Sequence, residues 1–171
     1  MLQGLGAEVR EVRVPEDLEG LDGLVMPGGE STTMTLGIKR EGLADPLRAF
    51  VKTGKPVFGT CAGMIMLDRE HLGCMDSLCR RNAFGRQIRS FEADLEIPGV
   101  DGEPVRAVFI RAPWLAEHGD AVEILAEVDG HPVAARQGSL LAISFHPELG
   151  DDARLHAAFL ERVRAARAGA S

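Results

Sequence analysis

Short apolar runs broken by glycine and proline organise the chain. Residues 7–14 (AEVREVRV) are rich in valine and are read as a first strand. GLVM (23–26) is a fully apolar run leading straight into PGGEST, and PVFGT (56–60) is a second. Runs without polar alternation fit parallel strands buried on both faces. Residues 31–53 carry helical spacing in two pieces, broken near Gly42. Asp45 and Pro46 are placed as N-cap and first helical residue of the second piece, and Gly54 stops it. AGMIMLDREH (62–71) turns helical directly after the second apolar strand.

The second half changes period. VRAVFIRA (105–112), AVEILAEV (121–128), HPVAARQ (131–137) and SLLAISF (139–145) are closely spaced strands, with Asp129-Gly130 and Gln137-Gly138 at hairpin turns. DDARLHAAFLERVRAARA (151–168) closes the chain as an amphipathic helix, with Leu155, Phe159, Leu160 and Val163 on one stripe. Strand–helix alternation followed by hairpins predicts an α/β fold whose sheet begins with parallel strands. No linker or repeat interrupts this pattern, so residues 1–171 are expected to form a single domain.

Composition narrows the function. A net charge of −7 argues against an extended phosphate-binding surface, so no nucleic-acid partner is expected. No apolar run reaches the roughly 18 residues that span a bilayer, so no membrane association is expected. The amino terminus lacks a basic stretch followed by an apolar one, and the three cysteines do not make a disulfide framework. A cytoplasmic protein is the expectation. The 20 glycines point to tight turns and close backbone approaches.

Three stretches could carry chemistry. In FGTCAGM, Cys61 stands between an apolar strand and a helix, where the helix amino terminus favours a thiolate and backbone N–H groups face a developing oxyanion. Gly59 and Gly63 make the sharp turn possible, as in the Gly-x-Ser-x-Gly elbow of hydrolases. The same residue also fits a small buried cysteine without chemistry. In SFHPEL, His146 stands at a strand end, and Glu148 shares its side in an extended chain. A carboxylate accepting from one ring nitrogen would leave the other for a thiol, although a solvated His-Pro turn reads equally from these residues. In MPGGES, Gly28 and Gly29 can turn main-chain N–H groups toward an anion. A plain strand-to-helix loop capped by Ser31 is the alternative.

In this order the three pieces resemble the class I, or triad, glutamine amidotransferases. With RRNAFGRQIRSFEADL and VFIRAPW, they are similar to the glutaminase subunits of pyridoxal 5′-phosphate synthases, over nearly the whole chain from Leu5. The resemblance implies a flavodoxin-like three-layer sandwich, its central sheet mostly parallel with antiparallel strands added in the second half. It implies Cys61 as nucleophile, His146 as general base and acid, and Glu148 as the residue orienting it. It implies glutamine contacts at Gly29, Glu30, Ser31, Arg81, Ile110 and Arg111, and an oxyanion site at Gly28, Gly29 and Ala62. Arg81 or Arg111 suits a bidentate grip on an α-carboxylate. Ammonia would pass to a synthase (lyase) subunit. No metal or bound cofactor is implied, pyridoxal phosphate being the product of the complex.

Members of that family open with a further buried strand and a helix, where this sequence has only Leu2-Gln3-Gly4. They also carry a longer connection near 69–77. The expectation is that this sequence omits segments of the natural chain. Two other functions stand beside the lead reading: a different cysteine hydrolase of the same fold, such as a peptidase or deglycase, and a catalytically inactive subunit that only binds the synthase. His71, His118, His131 and His156 have no ligand-like spacing. Cys74 and Cys79 read as packing, and Trp114 as an interface or surface cover.

Overall fold

The structure, a computed structural model, describes residues 1–81, 84 and 90–169. The remaining positions of the RNAFGRQ stretch (82, 83 and 85–87) lie outside the described residues, so the expectation placed on that motif bears only on Arg81 and Phe84.

Among the described residues the central sheet has five strands. Leu24–Met26 (β1) and Val57–Thr60 (β2) pair in parallel, and β2 pairs in parallel with Leu140–Ile143 (β9). His131–Gln137 (β8) runs antiparallel to β9, and Glu123–Val128 (β7) antiparallel to β8. Parallel pairing at the start and antiparallel pairing later is the mixed sheet that the resemblance implies. Two small pairs flank it: Ser77–Arg80 (β3) with Trp114–His118 (β6), and Ser90–Leu95 (β4) with Val105–Ile110 (β5).

Alternation of side chains builds a core on each face of this sheet. Val57, Leu140 and Ala142 join the cluster under the helices Ser31–Arg40 (α1), Ala44–Lys52 (α2) and Ala62–Leu67 (α3). Phe58, Leu141 and Ile143 join the opposite cluster, covered by Arg154–Gly169 (α4) through Leu155 and Phe159. Val57, Phe58, Ala142 and Ile143 are each fully buried. That explains why β2 and β9 read as unbroken apolar runs. Each such large side chain contributes roughly 1.5–3 kcal/mol of burial.

Several expected elements differ. Residues 7–14 form no strand, and Val9 and Val14 are exposed. Valine favours a strand only where a neighbouring strand supplies a ladder, and none pairs with this segment among the described residues. The helix expected over 62–71 stops at Leu67. Asp68, at ψ 174°, leaves helical geometry, and its buried carboxylate accepts from the N–H groups of Glu70, His71 and Cys79. The second helical piece starts at Ala44, with Leu43 rather than Asp45 at its N-cap. Leu43 already has helical geometry, and its carbonyl accepts from the N–H of Leu47. Asp45 instead pairs with Arg48 one turn on. The strands β3, β4 and β6 are not anticipated by the pattern. β4 alternates exposed polar with partly buried positions, β3 grades from a buried Ser77 to an exposed Arg80, and β6 is mostly exposed.

A close main-chain approach joins α3 to β1. A Cβ added to Gly63 would lie 1.9 Å from the Met26 carbonyl oxygen, a main-chain atom of the sheet. Gly63→Ala must therefore push α3 off β1. Urea denaturation should show a loss of about 3 kcal/mol, at the upper end for overpacking. A stability equal to the parent's would show that α3 is free to shift.

Candidate active site

The junction of β2 and α3 puts Cys61 at φ 49° and ψ −103°, a conformation that costs an L residue energy. Three main-chain bonds hold it there. The Cys61 N–H donates to the Ile143 carbonyl at 2.8 Å, and the Cys61 carbonyl accepts from the Met64 N–H at 3.1 Å and from the Ile65 N–H at 3.4 Å. Gly59 is needed for the same turn, since a Cβ there would lie 2.7 Å from the Gly63 carbonyl oxygen. The strain, the flanking glycines and the strand–helix position together make a sharp strand–turn–helix elbow with Cys61 at its apex. Ala62, the first residue of α3, is buried directly behind Cys61.

His146 arrives from β9, two residues beyond its buried Ser144. Its N–H donates to the Val108 carbonyl at 2.8 Å, which ties the site to β5. The imidazole Nδ1 and Glu148 Oε1 are 2.7 Å apart. Glu148 reaches the ring from a single helical turn, Pro147–Leu149, rather than from extended chain. The Cys61 side chain hydrogen-bonds the same imidazole. That contact first, and the Glu148 hydrogen bond second, raise the histidine pKa from its ordinary 6.5 to about 10 against the opposing effect of burial. Burial, the largest single effect, pushes the Glu148 carboxyl up, but the hydrogen bond with His146, a bond from its own main-chain N–H and the charges of His146 and His156 together outweigh it and leave the group below its usual range. Cysteine, histidine and glutamate thus form one connected line.

The MPGGES loop packs against that line. A Cβ on Gly28 would lie 2.5 Å from His146 Cε1 and 3.5 Å from the Cys61 Cβ, so only glycine fits there. Gly29 has φ 147°, open to glycine. The cap of α1 is Glu30, not Ser31. Its carboxylate accepts from the Thr32 N–H at 3.0 Å and the Thr33 N–H at 2.8 Å. These two bonds, Thr32's first, hold its pKa at about 2. Ser31 is then the first helical residue and is buried. Arg81 Nη2 reaches Glu30 Oε1 at 3.3 Å and Thr32 Oγ1 at 3.4 Å, bringing two of the expected glutamine contacts together. Ile110 ends β5 with its side chain exposed. Arg111 follows at φ 46°. Among the described residues no hydrogen bond joins Arg111 to the triad.

The groups that sequence reading missed are main-chain ones. The carbonyls of Ile143 and Val108 hold Cys61 and His146 in place, and any residue type could supply them. The capping role of Glu30 was legible in principle, because an acidic side chain ahead of Thr32 and Thr33 is a helix-start signal.

The raised His146 pKa makes a pH-dependent contribution to stability. A group with a raised folded-state pKa stabilises fully below its unfolded value and loses the effect as pH climbs through the folded one. The stability gap between parent and His146→Ala should therefore be widest at and below pH 6.5 and close as pH rises through about 10. Urea melts across that range measure it. A gap that widens toward alkaline pH would contradict the geometry described.

Comparison with known proteins identifies the family. Residues 1–165 match the model of the SNO glutamine amidotransferase family. A pyridoxal 5′-phosphate synthase subunit PdxT from Streptomyces coelicolor is 56% identical, covering 96% of this chain and 86% of the relative. The subunit of that name from Geobacillus kaustophilus is 54% identical over 99% of this chain and 90% of its own. A crystal structure of a glutamine amidotransferase superposes with a TM-score of 0.87 at 47% identity, covering 95% of this chain and 89% of that one. A glutamine amidotransferase structure from Thermotoga maritima, 16% identical with a TM-score of 0.57 over 95% of this chain and 69% of that one, shares the fold alone. The chain belongs to the SNO glutamine amidotransferase family.

Proposed function

We propose that this chain is the glutaminase subunit of a pyridoxal 5′-phosphate synthase, acting as one domain in the cytoplasm and handing ammonia to a synthase subunit. The observation that carries the reading is the strained Cys61 hydrogen-bonded to His146, whose other ring nitrogen lies 2.7 Å from Glu148. The names of the PdxT relatives supply the pathway. The three free cysteines suit a reducing compartment.

In the proposed reaction the Cys61 sulfur attacks the side-chain amide carbon of L-glutamine with the thiol's proton already resting on His146, whose raised pKa keeps the imidazole protonated. Main-chain N–H groups of Gly28, Gly29 and Ala62 stabilise the oxyanion, each such donor being worth about 2.7–4 kcal/mol of transition-state energy in comparable sites. The carbon–nitrogen bond breaks, His146 protonates the departing nitrogen, and ammonia leaves a thioester on Cys61. Water, deprotonated by His146, then attacks the thioester. Glutamate departs and the thiol is restored, so glutamine and water have become glutamate and ammonia. Glu148 keeps the imidazole in one tautomer and balances its charge. Arg81 and Arg111 take the substrate α-carboxylate, with Glu30, Ser31, Gly29 and Ile110 lining the remainder. The strain at Arg111 is what a residue held for binding shows.

The test is ammonia release from glutamine, with and without the synthase subunit. Cys61→Ala should lose the partner-stimulated activity by at least about a thousandfold, since the covalent route is gone. Activity surviving in that variant would overturn the mechanism. Silence in both proteins with the synthase still bound would favour a binding subunit without catalysis. Glu148→Gln keeps the shape but removes the charge beside His146. It should lower kcat by about a hundredfold, less than for a fully buried orienting carboxylate because Glu148 is partly exposed. An unchanged kcat would remove Glu148 from the triad.

A further inference from the structure

On the face of the sheet covered by α4 lies a cavity of about 310 Å3. Leu125 of β7 and Leu141 of β9 form its floor, and Phe159 of α4 one wall. The opposite wall is the turn 97–100 in the connection from β4 to β5. That wall is fixed in place. The Val100 N–H donates to the Ile97 carbonyl at 3.0 Å. Arg154, at the start of α4, donates to the carbonyls of Asp101 at 2.8 Å and Glu103 at 2.7 Å, while Asp152 grips its guanidinium from the other side. The cavity is therefore preformed, at the small end of the size range of ligand sites.

Its rim is cationic. Arg136 spends Nε and Nη2 on Glu123, at 3.0 and 2.6 Å. Glu161, the acidic residue of the lining, is taken by Arg164 at 2.6 Å. Arg162 donates to the Gly138 carbonyl at 2.9 Å and has no carboxylate within ion-pair distance among the described residues. Burial first, and the like charge of Arg136 second, lower its pKa, so an anion beside it would relieve both. A neutral apolar guest would fill the walls and leave that guanidinium uncompensated. A bare inorganic anion would satisfy the guanidinium and leave the leucine and phenylalanine walls empty. An occupant that meets both demands has an apolar body and one acidic head.

We propose that this cavity binds a small apolar monocarboxylate, its hydrocarbon against Leu125, Leu141 and Phe159 and its carboxylate on Arg162. The site is separate from the triad and stands whether or not the glutaminase reading does.

Isothermal titration of the full chain with decanoate, and with decanol as the uncharged control, tests this. Decanoate should bind with one-to-one stoichiometry and at least about tenfold more tightly than decanol, the gain expected of one charge-assisted contact. Arg162→Met, which keeps the length but not the charge, should weaken decanoate about tenfold and leave decanol unchanged. Ala158→Phe, which fills the cavity from α4, should abolish both, with far-ultraviolet circular dichroism reporting that the fold is retained. No decanoate binding up to about 10 mM, where even a contact worth only a few kcal/mol registers, would overturn the proposal. Equal affinity for the two probes, or decanoate binding untouched by Arg162→Met, would overturn it as well.

Discussion

The contact between Gly63 and the Met26 carbonyl oxygen sets the geometry on which the site depends. Because a side chain at position 63 would sit 1.9 Å from that oxygen, α3 can lie directly on β1 only through glycine. The chain must then leave β2 and enter α3 within one residue. That residue is Cys61, and its φ of 49° records the sharpness of the turn. The cost is met by packing on both sides, since β2 is buried throughout and every residue of α3 is buried. A looser junction would relax Cys61 and withdraw its thiol from His146.

The same close packing explains the order of charges around the site. His146 is hydrogen-bonded to two partners, its ring N–H donating to the Glu148 carboxylate, and its pKa is held well above that of a free imidazole. Gly28 leaves room for that ring and for nothing else. Glu30, by contrast, is exposed and owes its low pKa to the N–H groups that open α1 rather than to burial. Its carboxylate both starts the helix and anchors Arg81. One residue thus links the MPGGES loop to the end of β3.

Much of this was legible in the residues. The buried parallel strands declare themselves as unbroken apolar runs, and the hairpin turns as Asp129-Gly130 and Gln137-Gly138, whose glycines both have positive φ. Local pattern failed where a distant partner decides the outcome. Residues 7–14 have strand-forming side chains but no ladder among the described residues. The helix after Cys61 ends early because the buried Asp68 carboxylate is used by N–H groups as distant as Cys79's. The small strands β3, β4 and β6 are stabilised by one antiparallel partner each, and in β3 and β6 the exposure leaves no clean period to read.

The sequence by itself determined the chemical inventory: a cysteine between two glycines at a strand end, a histidine and glutamate two residues apart, and a glycine pair after an apolar run. Those are local facts of residue type and spacing. Only the tertiary structure decided that the parts meet. Cys61 and His146 are far apart in the chain, and their approach depends on β2 and β9 pairing in parallel, so that both strands deliver their ends to the same edge of the sheet. Main-chain carbonyls of Ile143 and Val108 then lock the two residues in place, and a carbonyl carries no signature in a sequence because every residue has one.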